Sequence, residues 1–468
     1  ERRIIEQCAA GCAANGGIPN LMYRSQTTDL FSDGRNKNIT TTWRAAAAYV
    51  TGSHSIKFGY TANQLGDIRS ANRGSNDLRY RVNNGVANQF TTYIHNQQND
   101  LWMRNHALYL QDQWTVGKVT VSAALRYDHA SSWAPEQRLE SRFFAAPLSW
   151  EGTPVVNSYN DITPRFSVAY DVFGNGKTAL KGTLGKYLES TVTASNYSLG
   201  NPTSRIPTNS ARTWTDANSN WVPDCDFRNP EVQDLRGSGG DFCGVAGNRN
   251  FGTSNYNNTI DPDILKGWGV RPSDFSWGVS VQQEVLQRVS VEVGFFHREF
   301  YGFTVTDNLA IAPENFDRFT LTAPSDSRLP DGGGYAVGPI FDLNTPSLAG
   351  VTRNYITYSD RYGDQYQKFN DVDINISARP RNGHTAQGGV SFGKSVGDNC
   401  EIRDKVPEIS QVGGIWNPFC HVETTLMPQY KALSSYIIPK ADVQVSATFT
   451  SKPGINLSGF GTPQQGGA

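Results

Sequence analysis

The chain has no block of basic or acidic residues, with 42 Lys and Arg against 43 Asp and Glu in 468 residues and a net charge of −1. A nucleic-acid footprint needs a concentrated basic face, so DNA or RNA as a partner is not expected. Long apolar runs are also missing. The nearest, Ala45 to Val50, is far shorter than the roughly 18 residues a membrane helix requires. A membrane strand is not excluded, because it needs only about 9 to 11 residues of alternating pattern. Charged residues are sparse at 18%, whereas 45 glycines and an aromatic content of 11% are high. That mixture is too poor in helix formers for a helical protein and too aromatic for disorder.

Cysteine is scarce, and its six copies sit as three local couples: Cys8 with Cys12, Cys225 with Cys243, and Cys400 with Cys420. Only His421 adjoins any of them, and the spacings do not suit zinc, so loop disulfides are the stronger reading. Disulfides imply an oxidising compartment, outside the cytosol.

What is abundant is alternation with period two. TTWRAAAAYV turns at Thr51 to Ser53 into HSIKFGYTANQL. DLRYRVNNGVANQFTTYI turns at Asn84 and Gly85, and HALYLQDQWTVGKVTVSAALRYDH at Val116 to Lys118. ITPRFSVAYDVFGNGKTALKGTLGKYLE turns at Gly174 to Gly176, and DFSWGVSVQQEVLQRVSVEVGFFHREF at Leu286 to Arg288. FNDVDINISARPRNGHTAQGGVSFGKS turns at Asn382 and Gly383, and YIIPKADVQVSATFTSKPGINLSGF is read as turning at Lys452 to Gly454. These hairpins amount to about 14 strands. Between them run long polar connections, roughly 131–160, 190–273, 302–365 and 397–434, which a compact soluble domain rarely keeps.

Short turns at one end and long loops at the other predict an all-β fold, a transmembrane antiparallel β-barrel with periplasmic turns and extracellular loops. Lipid accepts an apolar stripe on every strand without a second sheet. Val289, Val293, Leu125 and Ile374 are therefore expected to touch hydrocarbon. Arg126, Asp128, Arg165, Asp171, Glu292, Arg298, Asp371 and Asp373 are expected to face a wet lumen, and Trp114, Tyr127, Tyr170 and Phe173 to form an interfacial girdle near the turns. The competing architecture is a soluble β-sandwich or propeller, a secreted or surface adhesin binding glycans through Trp-bearing loops.

QDQW from Gln111, LRYD from Leu125, PRFSVAYDVFGNGKT, YQKFNDVDINISARPRNG and YIIPKADVQVSATFTSKPG, in that order, resemble TonB-dependent outer-membrane receptors. The similarity is to the Oar-like group, whose members carry a carboxypeptidase-regulatory-like domain ahead of a plug. It implies a barrel of roughly 22 strands, lipid and the TonB complex as partners, and uptake of a small ligand, peptide or oligosaccharide across a Gram-negative outer membrane. The chain is read as one barrel segment, 1–468, without plug, TonB box or signal peptide.

Candidate site residues are few. Trp133, Trp150, Trp214, Trp221 and Trp268 fall in the long connections and could stack on a ligand, or simply pack the loops. Asp216, Asn218, Asn220, Asp224 and Asp226 have oxygen at alternate positions, as in the first half of a calcium loop. Trp221 and Phe227 stand where that loop wants Gly and Glu, so an Asx-rich turn competes with calcium. No other cofactor is expected. Gly389 to Gly393 spells G-x-S-x-G around Ser391, but mid-strand, where a nucleophile elbow cannot form; no catalysis is expected.

Overall fold

The computed structural model describes residues 3–6, 22–23, 35–72, 77–83, 85–190, 196–380, 383–412, 415–416, 419–439, 441 and 443–454. Twelve long strands follow one another as an antiparallel meander. They are β1 Arg35–Thr51, β2 His54–Asn72, β3 Leu101–Val116 and β4 Val119–Ala134. Next come β5 Thr153–Asp171, β6 Thr178–Leu188, β7 Ser273–Leu286 and β8 Val289–Tyr301. The last four are β9 Tyr366–Ala378, β10 His384–Asp398, β11 Met427–Ile438 and β12 Val443–Ser451. Each pairs with the next in the chain, from β1 with β2 to β11 with β12. No register joins β1 to β12 among the described residues, so the wall is curved but open.

The hairpin turns are built where the chain can reverse cheaply. Gly52 and Gly117 hold positive φ in two-residue turns, as such hairpins require, and Gly383 does so in a longer one. Asp171 is drawn into this work: its carboxylate accepts the N–H groups of Gly174 at 3.0 Å and Gly176 at 2.8 Å, so it caps a turn instead of facing the lumen. The last hairpin differs from the sequence expectation. It reverses between Ile438 and Val443, and not at Lys452 to Gly454. Pro439 explains the shift, since it has no N–H to give to a ladder and fixes its own φ.

Side chains sort by parity. On one face lie Leu125, Val293 and Ile374, respectively 54%, 47% and 41% exposed, with Val289 half-buried. Register places Val281, Val293, Ile374 and Val390 in one row across four strands, so the apolar stripe is continuous. Among the described residues nothing covers it, which removes the sandwich alternative. Aromatics border the stripe twice. Tyr49, Trp114, Tyr170 and Phe173 sit near the turns, while Trp43, Tyr127 and Trp277 sit further up. Tyr127 thus belongs to the upper border, and the eight steps from Val119 to Tyr127 span about 20 Å of height at a typical strand rise and tilt.

The strands are longer than a bilayer needs, and the loops fold above them. A second, 7-stranded sheet forms there, and the hairpin Leu78–Asn83 with Val86–Tyr93 belongs to it instead of to the wall. Its apolar face is closed. Tyr80 and Phe90 are 2% and 0% exposed, packed with Leu78, Phe143 and Trp214. The first and last connections are also shorter than expected, because Ser131 to Ala134, Thr153 to Asn160 and Met427 to Ser434 continue the wall strands. Two disulfides, Cys225–Cys243 and Cys400–Cys420, staple the loops, as expected. Cys8, Cys12, Asn84 and Asn382 lie outside the described residues.

Candidate functional site: the lumen wall and its roof

The inner face of the wall is polar because every second residue of each strand points there. Opposite charges meet in pairs within a strand, across adjacent strands and across the strand between. Lys181 Nζ lies 3.1 Å from Glu292 Oε2 and 3.2 Å from Oε1, and Ser280 Oγ donates to Oε1 at 2.7 Å. Arg126 pairs with Asp128 at 2.7 Å, and Asp128 also accepts from Asn105 Nδ2 at 3.2 Å. Arg298 meets Asp274 through two contacts of 2.7 and 2.8 Å, and Arg165 lies over the Tyr187 ring at 4.6 Å. Ser391 Oγ donates to Asp371 at 2.8 Å, mid-strand in β10, with no turn beneath it. A cavity of 670 Å³ runs along this surface, lined among others by Glu292, Asp371, Asp373, Gln429 and Lys431.

A roof closes the upper part. The described part of the connection from 196 to 272 dips inward, seating Tyr197 against Leu101, Met103, Ala130 and Tyr159 of the wall. Tyr159 Oη donates to the Ile264 carbonyl at 3.0 Å, and Asn157 Nδ2 donates to that of Asn196 at 2.8 Å. Arg271 Nε contacts Asp161 at 3.0 Å with both side chains almost fully buried, and Arg271 Nη1 donates to Tyr197 Oη at 2.9 Å. A buried pair of this kind is costly to break from one side, because the remaining charge is left without a partner. It ties the roof to the wall. Below it lies a cavity of 410 Å³ bounded by Arg126, Asp128, Arg165 and Arg271.

Higher in the loops, Asp261 caps the short helix Pro262–Leu265, accepting the Asp263 N–H at 3.0 Å. Burial alone would raise its carboxyl, but hydrogen bonds from Thr357 and Asp263 and the Arg361 guanidinium at 2.7 Å hold it below the usual carboxylate range.

This architecture, a wall apolar outside and charged within, is matched at the level of sequence. The outer membrane beta barrel domain family matches residues 5–418. The chain belongs to that family. Its apolar face therefore meets lipid, and its place is the outer membrane of a Gram-negative bacterium. No curated protein shows significant similarity to the chain. Among solved structures this barrel is similar to the outer membrane transporter YddB from Escherichia coli, at 12% identity and a TM-score of 0.42 over 92% of this chain and 43% of that one. It is also similar to the alcaligin outer membrane receptor FauA from Bordetella pertussis, at 10% identity and a TM-score of 0.33 over 90% of this chain and 55% of that one. A third is the FrpB iron transporter from Neisseria meningitidis, at 10% identity and a TM-score of 0.34 over 88% of this chain and 49% of that one. The chain spans about half the length of these structures.

The barrel scatters the tryptophans proposed from sequence. Trp133 belongs to wall strand β4, where it stacks on Trp102 with Arg104 over its ring. Trp214 is 1% exposed at the centre of the loop-layer core, its Nε1 donating to Asp241 at 2.9 Å, so no ring face is open to a ligand. Trp150 packs on the cluster of Ile94, Leu139, Phe144 and Ile206. Trp268 is exposed beside Tyr127 at the upper aromatic border, on the lipid side. Trp221 is exposed at a loop tip with φ of 59°.

Asp216, Asn218, Asn220, Asp224 and Asp226 form a self-satisfied Asx network. Asp216 accepts the N–H groups of Asn220 and Trp221 at 3.2 and 2.9 Å, and the amides of Asn218 and Asn220 both donate to Asp224 Oδ2, at 2.7 and 2.9 Å. Asp226 accepts the Arg228 N–H at 3.0 Å. Among the described residues no three His, Cys, Asp or Glu side chains gather as a metal site. Sequence reasoning missed the roof anchor entirely. Asp161 and Arg271 stand 110 positions apart, and neither carries a local signal.

Proposed function

We propose that this chain forms the membrane wall of a TonB-dependent receptor of the Oar-like group, whose outer loops capture a scarce ligand and whose polar lumen passes it inward. The roof supports this reading best: loops that fold into the top of the lumen and lock there through Asp161 and Arg271 give a route that is closed at rest and reached from outside. The polar inner wall suits a hydrophilic ligand, such as a chelate, oligosaccharide or peptide. No chemical step is assigned. Ser391 has a carboxylate as its partner and sits on a regular strand, so Ser391→Ala is expected to leave transport unchanged.

The test is uptake by cells carrying a receptor that contains this wall. Inactivating their TonB should abolish energised uptake, and uptake continuing at its full rate overturns the TonB reading. Asp161→Asn should loosen the roof and let small hydrophilic solutes leak through reconstituted barrels. An unchanged permeability would remove the roof from the transport route.

A further inference from the structure

Three of the short turns bring basic residues together on the inner side of the mouth. Lys177, Arg288 and Arg379 line a cavity of 590 Å³ in which Glu284 is the single carboxylate. A chain of hydrogen bonds holds them there. The Glu284 N–H donates to the Lys177 carbonyl at 2.7 Å, and Glu284 Oε1 accepts the Arg288 N–H at 2.9 Å. The Arg288 carbonyl in turn accepts the Arg379 N–H at 3.0 Å. Like charges on adjacent turns are thereby fixed as neighbours. None of the three side chains has an ion-pair partner among the described residues, and one Glu284 oxygen is already engaged by a backbone N–H.

Arg288 sharpens the point. It occupies the left-handed region, at φ of 66°, in a two-residue turn where glycine or asparagine would be relaxed. The turn holds a cation at a position where backbone preference alone favours other residues. Above the mouth the charge is mixed. The cavity shares Gln282, Ser290 and Ser377 with the larger one along the wall, where the carboxylates Glu292, Asp371 and Asp373 stand with Lys431 and Glu292 is paired with Lys181. An anion meets an excess of cations at the mouth and charges of both signs along the middle of the wall, which favours the turns.

We propose that the turn-side mouth of the lumen is an oxyanion-binding site, in which Lys177, Arg288 and Arg379 hold a carboxylate or phosphate group. The oxyanion comes either from a free anionic solute or from acidic side chains of a polypeptide entering the mouth. The proposal needs only the two-faced wall and stands apart from TonB dependence and from the loops.

The experiment uses the full chain folded in detergent at low ionic strength, with inorganic pyrophosphate and a hexaglutamate peptide as calorimetric probes. At least one should bind, with affinity falling as salt shortens the screening length to about 8 Å near physiological strength. Arg288→Gln with Arg379→Gln should weaken binding about tenfold, as expected for two exposed charge-assisted contacts. Glu284→Gln keeps the acceptor for the Arg288 N–H while removing the opposing charge, and should tighten it. Unchanged gel migration of unheated samples shows that the variants keep their wall. Tighter pyrophosphate binding identifies a solute site, tighter peptide binding a site for an acidic segment, and either supports the proposal. Neither probe binding, or the double variant binding like the parent, overturns it.

Discussion

Two hairpins with the same pattern met opposite fates. In Leu78–Asn83 with Val86–Tyr93 the apolar face is sealed in a protein core, whereas in Ser273–Leu286 with Val289–Tyr301 it is bare. Both alternate apolar and polar residues, and both reverse at a tight turn. What separates them is the neighbour. The first lies under Trp214 and Phe143 from later loops, and the second has only lipid to face. Alternation states that a face is apolar and leaves open what receives it.

That contrast can be broken from either side. The largest effect is expected from Phe90→Ala, which should cost the loop layer about 3 to 5 kcal/mol, as for large buried aromatics elsewhere. Limited proteolysis should then cut the loops while the unheated protein still migrates as a folded barrel. Loss of the folded band would mean that the two regions are one cooperative unit.

The mirror experiment is Val293→Arg, placed mid-band on the lipid face. It should cost about 2 to 4 kcal/mol of wall stability in lipid vesicles and leave loop proteolysis unchanged. A neutral result would mean that Val293 lies outside the hydrocarbon. Reducing Cys225–Cys243 comes next, destabilising the loop layer by about 2 to 3 kcal/mol, since the bridge closes a loop of 18 residues. Denaturant titration of loop tryptophan fluorescence would measure it, with the wall transition as the internal control.

The smallest effect is in pH. Asp261 is held below its unfolded value, so its contribution is complete above the ordinary carboxylate range and is lost as pH falls through the depressed folded value. Acidification through and below the ordinary carboxylate range should loosen the loops before the wall responds. Asp261→Asn should flatten that slope, and an unaltered slope would assign the acid sensitivity to another group.

Much of the wall was readable from residues alone. Strands β3 to β10 follow their alternation closely, since a one-residue slip would turn a whole stripe from lipid to water. The misreadings share a cause. The hairpin at 78–93 carries a stripe like the others, so alternation alone places it in the barrel, and alternation leaves open whether Trp214 stacks on a ligand or packs the loops, because its burial comes from Phe90 and Tyr80, more than a hundred residues away. The final turn differs because the Lys-Pro-Gly triplet at 452–454 is as good a local turn signal as the stretch between Ile438 and Val443, where the ladder reverses.

Local sequence by itself determined where strands run, which of their faces is apolar, and where the short turns fall, because backbone sterics and period-two alternation act over a few residues. Only the tertiary structure decided which apolar faces meet lipid and which meet protein, how Asp161 finds Arg271, and why three cations share one mouth. Those outcomes depend on residues far apart in the chain, and it is their distance through space that sets burial and Coulomb energy.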